Sequence, residues 1–127
     1  MVSDEDIKYW VKAYCDEYNL SDKIEYLCEK LIKYKKNLKF IYSDWGMCIL
    51  GKTKGFFGEK VLNVVAFYIH PDYRKSIKYF LNLQKMIKNV AKIEKVDYII
   101  QGSHVNDKLN KYLEKTGWEI AELKWRV

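Results

Sequence analysis

One change of hydrophobic period in the middle of the chain narrows the choice of folds more than anything else. Residues 60–69 carry the strongest strand signal, rich in valine and aromatics and apolar on both faces near their end. That pattern predicts a central strand covered on both sides, and Pro71, the only proline, ends it. From Ser76 to about Ile93 the residues Ile77, Phe80, Leu81, Gln84, Ile87, Val90 and Ala91 recur at helical spacing, and residues 96–100 return to strand character. A strand, a helix about 27 Å long at 1.5 Å per residue, and a second strand imply a parallel pair joined by a right-handed crossover.

Two helices precede this unit. Ser3 followed by Asp6 is a helix start, because hydroxyl and carboxylate satisfy free first-turn amides; Ile7, Trp10, Val11, Tyr14, Cys15 and Tyr18 then form one apolar stripe. Ser21 opens a second helix with Ile24, Leu27, Cys28, Leu31 and Ile32. Lys33, Lys35 and Lys36 suit its negative end, and Asn37 is placed to adopt a left-handed cap. Residues 38–43 and 47–50 read as short strands around an Asp44–Trp45–Gly46 turn. Residues 51–55 read as a turn, with Phe56 and Phe57 leading into Gly58. Beyond residue 100, a short helix over 107–116 closes on Gly117, and 118–127 form a last strand. The expected order is ααβββαβαβ, an α/β (α+β) sandwich with a mixed central sheet flanked by helices, as a single domain over residues 1–127.

Several function classes drop out. The longest apolar run, Val64 to Ile69, is far short of the roughly 20 residues of a membrane helix, so no membrane partner is expected. The acidic residues among Met1–Asp6 do not make a secretory leader, and three cysteines without CxxC pairing predict free thiols in a reducing cytoplasm. Two histidines and scattered cysteines offer no metal cluster. Gly51–Lys52–Thr53 lacks the earlier glycine of a phosphate loop. Net charge is +6, yet up to Lys30 there are eight acids against four lysines, leaving +10 on the remainder. Such asymmetry marks an anionic ligand or partner, or reflects a lysine-favouring genome, which 21 lysines against two arginines also fit.

The junction Tyr68–Ile69–His70–Pro71–Asp72–Tyr73–Arg74–Lys75–Ser76–Ile77–Lys78 is where chemistry is expected. Helix amides without intrahelical partners and the positive end of the dipole meet Arg74, Lys75 and Lys78. Either a diphosphate relieves that conflict, or the side chains point into water.

The element order and the segment Ile69–His70–Pro71–Asp72–Tyr73–Arg74, followed by Ser76–Ile77–Lys78 and later by Asn106 and Gly117–Trp118, resemble the GCN5-related N-acetyltransferase (GNAT) superfamily over roughly residues 38 to 120. The resemblance implies acetyl-CoA as cosubstrate, its pyrophosphate on the backbone amides of about Arg74, Lys75, Ser76, Ile77, Lys78 and Tyr79. Its pantetheine arm would pair like an added strand with Tyr68, Ile69 and His70, and Asn106 would contact the arm from the far side. It also implies an amine nucleophile, an oxyanion held by a central-strand amide, and an acid for the departing thiolate.

This chain departs from the family pattern twice. Both loop glycines are replaced by bulkier residues, with a serine hydroxyl and a lysine as substitute phosphate donors. The family's acid tyrosine falls on Leu113, with Tyr112 beside it: either Tyr112 is the acid, or it packs next to Leu109. His70 is a base of suitable pKa or a strand-end side chain; His104 stands in the same position. Trp45 is either core or an exposed contact. The chain is thus read as an N-acetyltransferase acting on an amine of a small molecule or protein. The alternative is a catalytically inactive binding or structural protein of that fold with a protein partner, similar to GNAT-like proteins encoded by bacteriophages. A nucleic-acid partner on the lysine-rich helix between Lys75 and Lys95 rests on charge alone. The oligomeric state stays open between monomer and homodimer.

Overall fold

The computed structural model describes residues 2–101. Helix α1 (Asp4–Glu17) starts as its sequence dictates. Ser3 Oγ accepts from Asp6 N at 3.1 Å while the Asp6 carboxylate accepts from Ser3 N, a reciprocal capping box. It ends at Asn19, whose φ of 57° lets Leu20 N–H reach back to Cys15 O at 2.8 Å. A 3-10 turn, Ser21–Lys23, leads into α2 (Ile24–Lys33), so the second helix begins three residues later than Ser21. Asn37 is not the left-handed cap: Lys35–Asn37 is another 3-10 turn, and among the described residues the positive-φ non-glycine ones are Asn19 and Lys95.

Strands β1 (Leu38–Ser43), β2 (Gly46–Lys54) and β3 (Lys60–Ile69) form an antiparallel meander, and β4 (Tyr98–Ile100) pairs parallel with β3. Residues 51–54 belong to β2, not to a turn. Gly51 is paired on both sides, with Leu38 and Asn63, and the ladder runs on to Lys54 opposite Lys60. The turn is Gly55–Glu59, with Gly58 at φ 82°. At the other end Gly46 is required by close approach, since a Cβ there would sit 2.0 Å from Tyr68 O.

Helix α3 (Lys78–Ile93) crosses over between β3 and β4. Its end repeats the α1 device: Lys95, at φ 55°, lets Val96 N–H donate to Ala91 O. The described order, ααβββαβ, agrees with the predicted one in a mixed sheet flanked by helices. The predicted helix 107–116 and strand 118–127 lie outside the described residues.

Two cores sandwich the sheet. Ile7, Trp10, Val11 and Cys15 of α1 and Cys28 of α2 cover Met47, Ile49 and Tyr68 on one face. On the other, Leu83, Ile87 and Ala91 of α3 cover Cys48, Leu50 and Leu62. Alternation along β2 produces this split, because successive side chains point to opposite faces. Each fully buried aliphatic side chain contributes about 1.5–3 kcal/mol. Trp45 is partly buried against the α3 side, so it is core more than contact.

Candidate functional site

Strand β3 is not covered along its whole length as its apolar sequence predicts. Its ends are buried, but Val65 is 56% exposed and Ala66 is exposed as well. Two backbone irregularities coincide there. Ile49 faces Ala66 and Leu50 faces Val64, so Val65 is an extra residue, a β-bulge. Pairing with β4 stops at Asn63↔Ile100, leaving Val64–Ile69 without a partner on that side among the described residues. The reciprocal amide pair Gln84–Gln101, at 3.0 and 2.8 Å, ties the chain just after β4 to α3. Gln84 is the one buried polar side chain of the described core, a residue the apolar stripe alone did not distinguish from its neighbours.

The parity of the open edge follows from one bond. His70 N–H donates to Trp45 O at 2.8 Å, so antiparallel alternation turns the backbone groups of Tyr68 towards β2 as well. The groups facing the edge that is unpaired among the described residues are those of Phe67 and the Ile69 N–H, the Ile69 carbonyl already accepting from Arg74 Nε at 2.7 Å. Of the three residues expected to pair with an added strand, Tyr68 and His70 turn their N–H groups towards β2, and Ile69, like Phe67, turns its N–H away from it. Sequence could not supply this parity, because it depends on which β2 residue lies opposite.

The corner after β3 is built from short hydrogen bonds. A 3-10 turn, Pro71–Tyr73, is capped by His70, whose Nδ1 accepts from Asp72 N at 3.2 Å. That bond engages the Nδ1 lone pair, with the Asp72 carboxylate 3.5 Å from the same nitrogen. Helix α3 then begins at Lys78, not Ser76, because Ser76 Oγ accepts from Lys78 N at 3.2 Å and forms a turn of its own. Leu81 is the first residue to donate to Ile77 O. Residues 74–78 are all exposed, and Ile77, half exposed, does not plug the corner. Tyr79 packs edge-on against Tyr73 at 5.0 Å, with Trp45 at 6.4 Å. From the corner a hollow of about 550 Å³ runs along α3, lined by Ser76, Ile77, Lys78, Leu81, Lys85 and Lys88 among others.

Arg74 does not project towards this hollow. Its Nη1 and Nη2 donate to the two Glu17 carboxylate oxygens at 2.8 Å each, its Nε donates to Ile69 O at 2.7 Å, and its guanidinium lies 5.2 Å from the Tyr68 ring centre. Tyr68 OH donates to Glu17 Oε1 at 3.0 Å. Burial pushes the Glu17 carboxyl up, but hydrogen bonds from Arg74, Tyr68 and Tyr18 overcome this and hold it below its ordinary value. Burial, with the carboxylate alongside, pushes the Tyr68 hydroxyl up to about 12. As a phosphate donor, then, the Arg74 side chain is already committed, and it is a clamp holding the end of α1 to the corner. Glu17 gave no signal in sequence, being 57 residues away from its partner.

Lys75, Ser76 and Lys78 remain as cationic and hydroxyl donors at the corner. Asn106, Tyr112 and His104 lie outside the described residues. Among the described residues no group of three metal-ligating side chains occurs, and no helix is long and apolar enough to cross a membrane.

No family model and no curated protein matches the sequence. Solved structures do match. The ribosomal-protein-alanine N-acetyltransferase of Brucella melitensis biovar Abortus superposes with a TM-score of 0.75 at 13% identity, covering 99% of this chain and 95% of that one. The aminoglycoside 6'-N-acetyltransferase of Acinetobacter haemolyticus gives 0.71 at 15% over 99% and 93%. A predicted acetyltransferase from Clostridium acetobutylicum, solved with acetyl-CoA, gives 0.73 at 11% over 99% and 92%. Likeness at such identities establishes the fold and leaves the reaction to the site.

Proposed function

We propose, from the GCN5-related N-acetyltransferase fold that this chain has, that it transfers an acetyl group from acetyl-CoA to an amine. The observation that carries this reading is the bulged β3, half of it unpaired on one side among the described residues, ending at an exposed, lysine-flanked corner. The edge groups of Phe67 and the Ile69 N–H would hold the amide-bearing arm of the cosubstrate as an added strand. The diphosphate would lie on the exposed backbone of residues 75–78, with Lys75, Ser76 and Lys78 supplying the donors that two glycines usually free from the backbone.

In the reaction the amine nitrogen attacks the thioester carbon, and a bulge amide stabilises the oxyanion. As the C–S bond breaks, Tyr112 protonates the leaving thiolate, while the amine proton passes to water, since the His70 lone pair serves Asp72 N. The acceptors named for the neighbours, a ribosomal-protein alanine and an aminoglycoside, differ so widely that the fold selects neither.

A second reading, a catalytically silent binding module, is favoured by the bulky Ile77 that lines the hollow where the family pattern has a glycine-rich loop. Calorimetry and thermal shift with acetyl-CoA decide first. Binding that Lys75→Glu with Lys78→Glu weakens at least tenfold supports the cofactor site; no heat and no stabilisation at millimolar cosubstrate leaves only the binding module. Tyr112→Phe should then lower kcat with KM for acetyl-CoA unchanged, read as thiol release over a panel of amines.

A further inference from the structure

Two surface features, one of them running on from Lys78 at the corner along α3, point the same way. The sixteen residues of α3 carry Lys78, Lys85, Lys88 and Lys92 and no acid. At 3.6 residues per turn these four fall within an arc of about 80° and extend about 21 Å along the helix. Lys85 and Lys92 are exposed, and Lys95 continues the row at the left-handed turn that ends the helix. The second feature lies beside that end. Asp97, just beyond Lys95, exchanges backbone and side-chain bonds with Lys60 at the base of the β2–β3 hairpin, at 2.8 and 2.7 Å. At the tip of this hairpin Phe56 and Phe57 are 93% and 89% exposed, their rings edge-to-face at 5.0 Å, above the cross-strand pair Lys54 and Lys60. Among the described residues the nearby acids are already engaged: Glu59 accepts from Phe57 N and Tyr98 OH, Asp97 accepts from Lys60 N, and Glu94 pairs with Lys39 and Lys52.

We infer that this row and tip form a binding surface for a single-stranded nucleic acid, the phosphates following the α3 lysines and an unpaired base stacking on the hairpin-tip phenylalanines. The row is one lysine wide and linear, which suits a chain of phosphates better than the plane of a lipid surface. Two bare rings on a convex tip fit the face of an unpaired base, which a duplex hides, and are too small for a protein interface of about 800 Å² per partner.

Fluorescence anisotropy of a labelled 20-nucleotide oligo(dT) tests this, with the matching duplex, polyglutamate and anionic phospholipid vesicles as competitors. About four neutralised phosphates predict a slope near −3 in log K against log salt, at about 0.7 per contact for single strands. Lys92→Glu with Lys95→Glu should reduce that slope by about 1.4 and weaken binding at least tenfold. Phe56→Ser with Phe57→Ser should weaken binding fivefold or more and leave the slope unchanged. No binding, equal competition by polyglutamate or the duplex, preference for vesicles, or indifference to the phenylalanine pair would each overturn the proposal. Thermal stabilisation by acetyl-CoA, measured on the Lys92/Lys95 variant, reports on the corner alone, so the two readings fail separately.

Discussion

Glu17→Gln removes the charge from the clamp that joins the end of α1 to the β3–α3 corner, and the clamp geometry sets the size of the effect. Two charge-assisted hydrogen bonds at 2.8 Å and the Tyr68 hydroxyl bond at 3.0 Å all converge on this carboxylate. Hydrogen bonds to charged groups contribute about 1.5–3 kcal/mol each when shielded. The Arg74 side chain, however, is 40% exposed and Glu17 25%, and solvent screening reduces the sum. A glutamine keeps one acceptor oxygen. The expected loss is therefore about 2 kcal/mol, a fall in Tm of roughly 6–8 °C for a domain of this size. Arg74→Met keeps the aliphatic stem over Tyr68 and loses a similar amount. Because both residues share one interaction, the double variant should cost about 1 kcal/mol less than the two single losses added together. Chemical denaturation of the four proteins measures this. Additivity within about 0.3 kcal/mol would refute the clamp and return the Arg74 guanidinium to solvent.

Acid sensitivity should follow from two carboxylates. Hydrogen bonds from Lys39 and Lys52 hold the Glu94 carboxyl down at about 2, and Glu17 is also lowered. A carboxyl depressed in the folded state stabilises above its unfolded value near 4.5 and loses that contribution as pH falls through its folded value. Tm should thus be flat from pH 7 to about 5 and decline below it, and Glu94→Gln should make the decline shallower; an unchanged profile would contradict this. All three cysteines are buried and their thiols pushed up, Cys48 to about 12. Iodoacetamide at about pH 8 should therefore label none of them until denaturant is added, and fast labelling of the native protein would show the core open. Gly46→Ala drives a Cβ into Tyr68 O, a backbone atom that cannot rotate away. It should cost several kcal/mol and shift the amide resonances of the 67–70 segment, whereas a Tm within about 1 °C of wild type would refute the close approach.

The elements and their order were legible in the residues alone. Ser3 and Asp6 fixed one helix start, three- and four-residue spacing separated helices from alternating strands, and a helix between two strands required a parallel crossover. These are local rules, each contained within one segment. The expectations that failed locally, at residues 51–54, Asn37 and Ser76, failed because a partner strand or a competing side-chain bond outweighed the propensity of a few residues. The site belongs to another level. Whether Phe67 or Tyr68 faces the open edge depends on a register set by Trp45; whether Arg74 is a ligand or a clamp depends on Glu17, far away in sequence. The edge of β3 left unpaired among the described residues follows from a residue gained at Val65 and from β4 pairing only as far as Ile100. Register, bulge and long-range ion pair are relations between segments, and only packing them together decides their outcome.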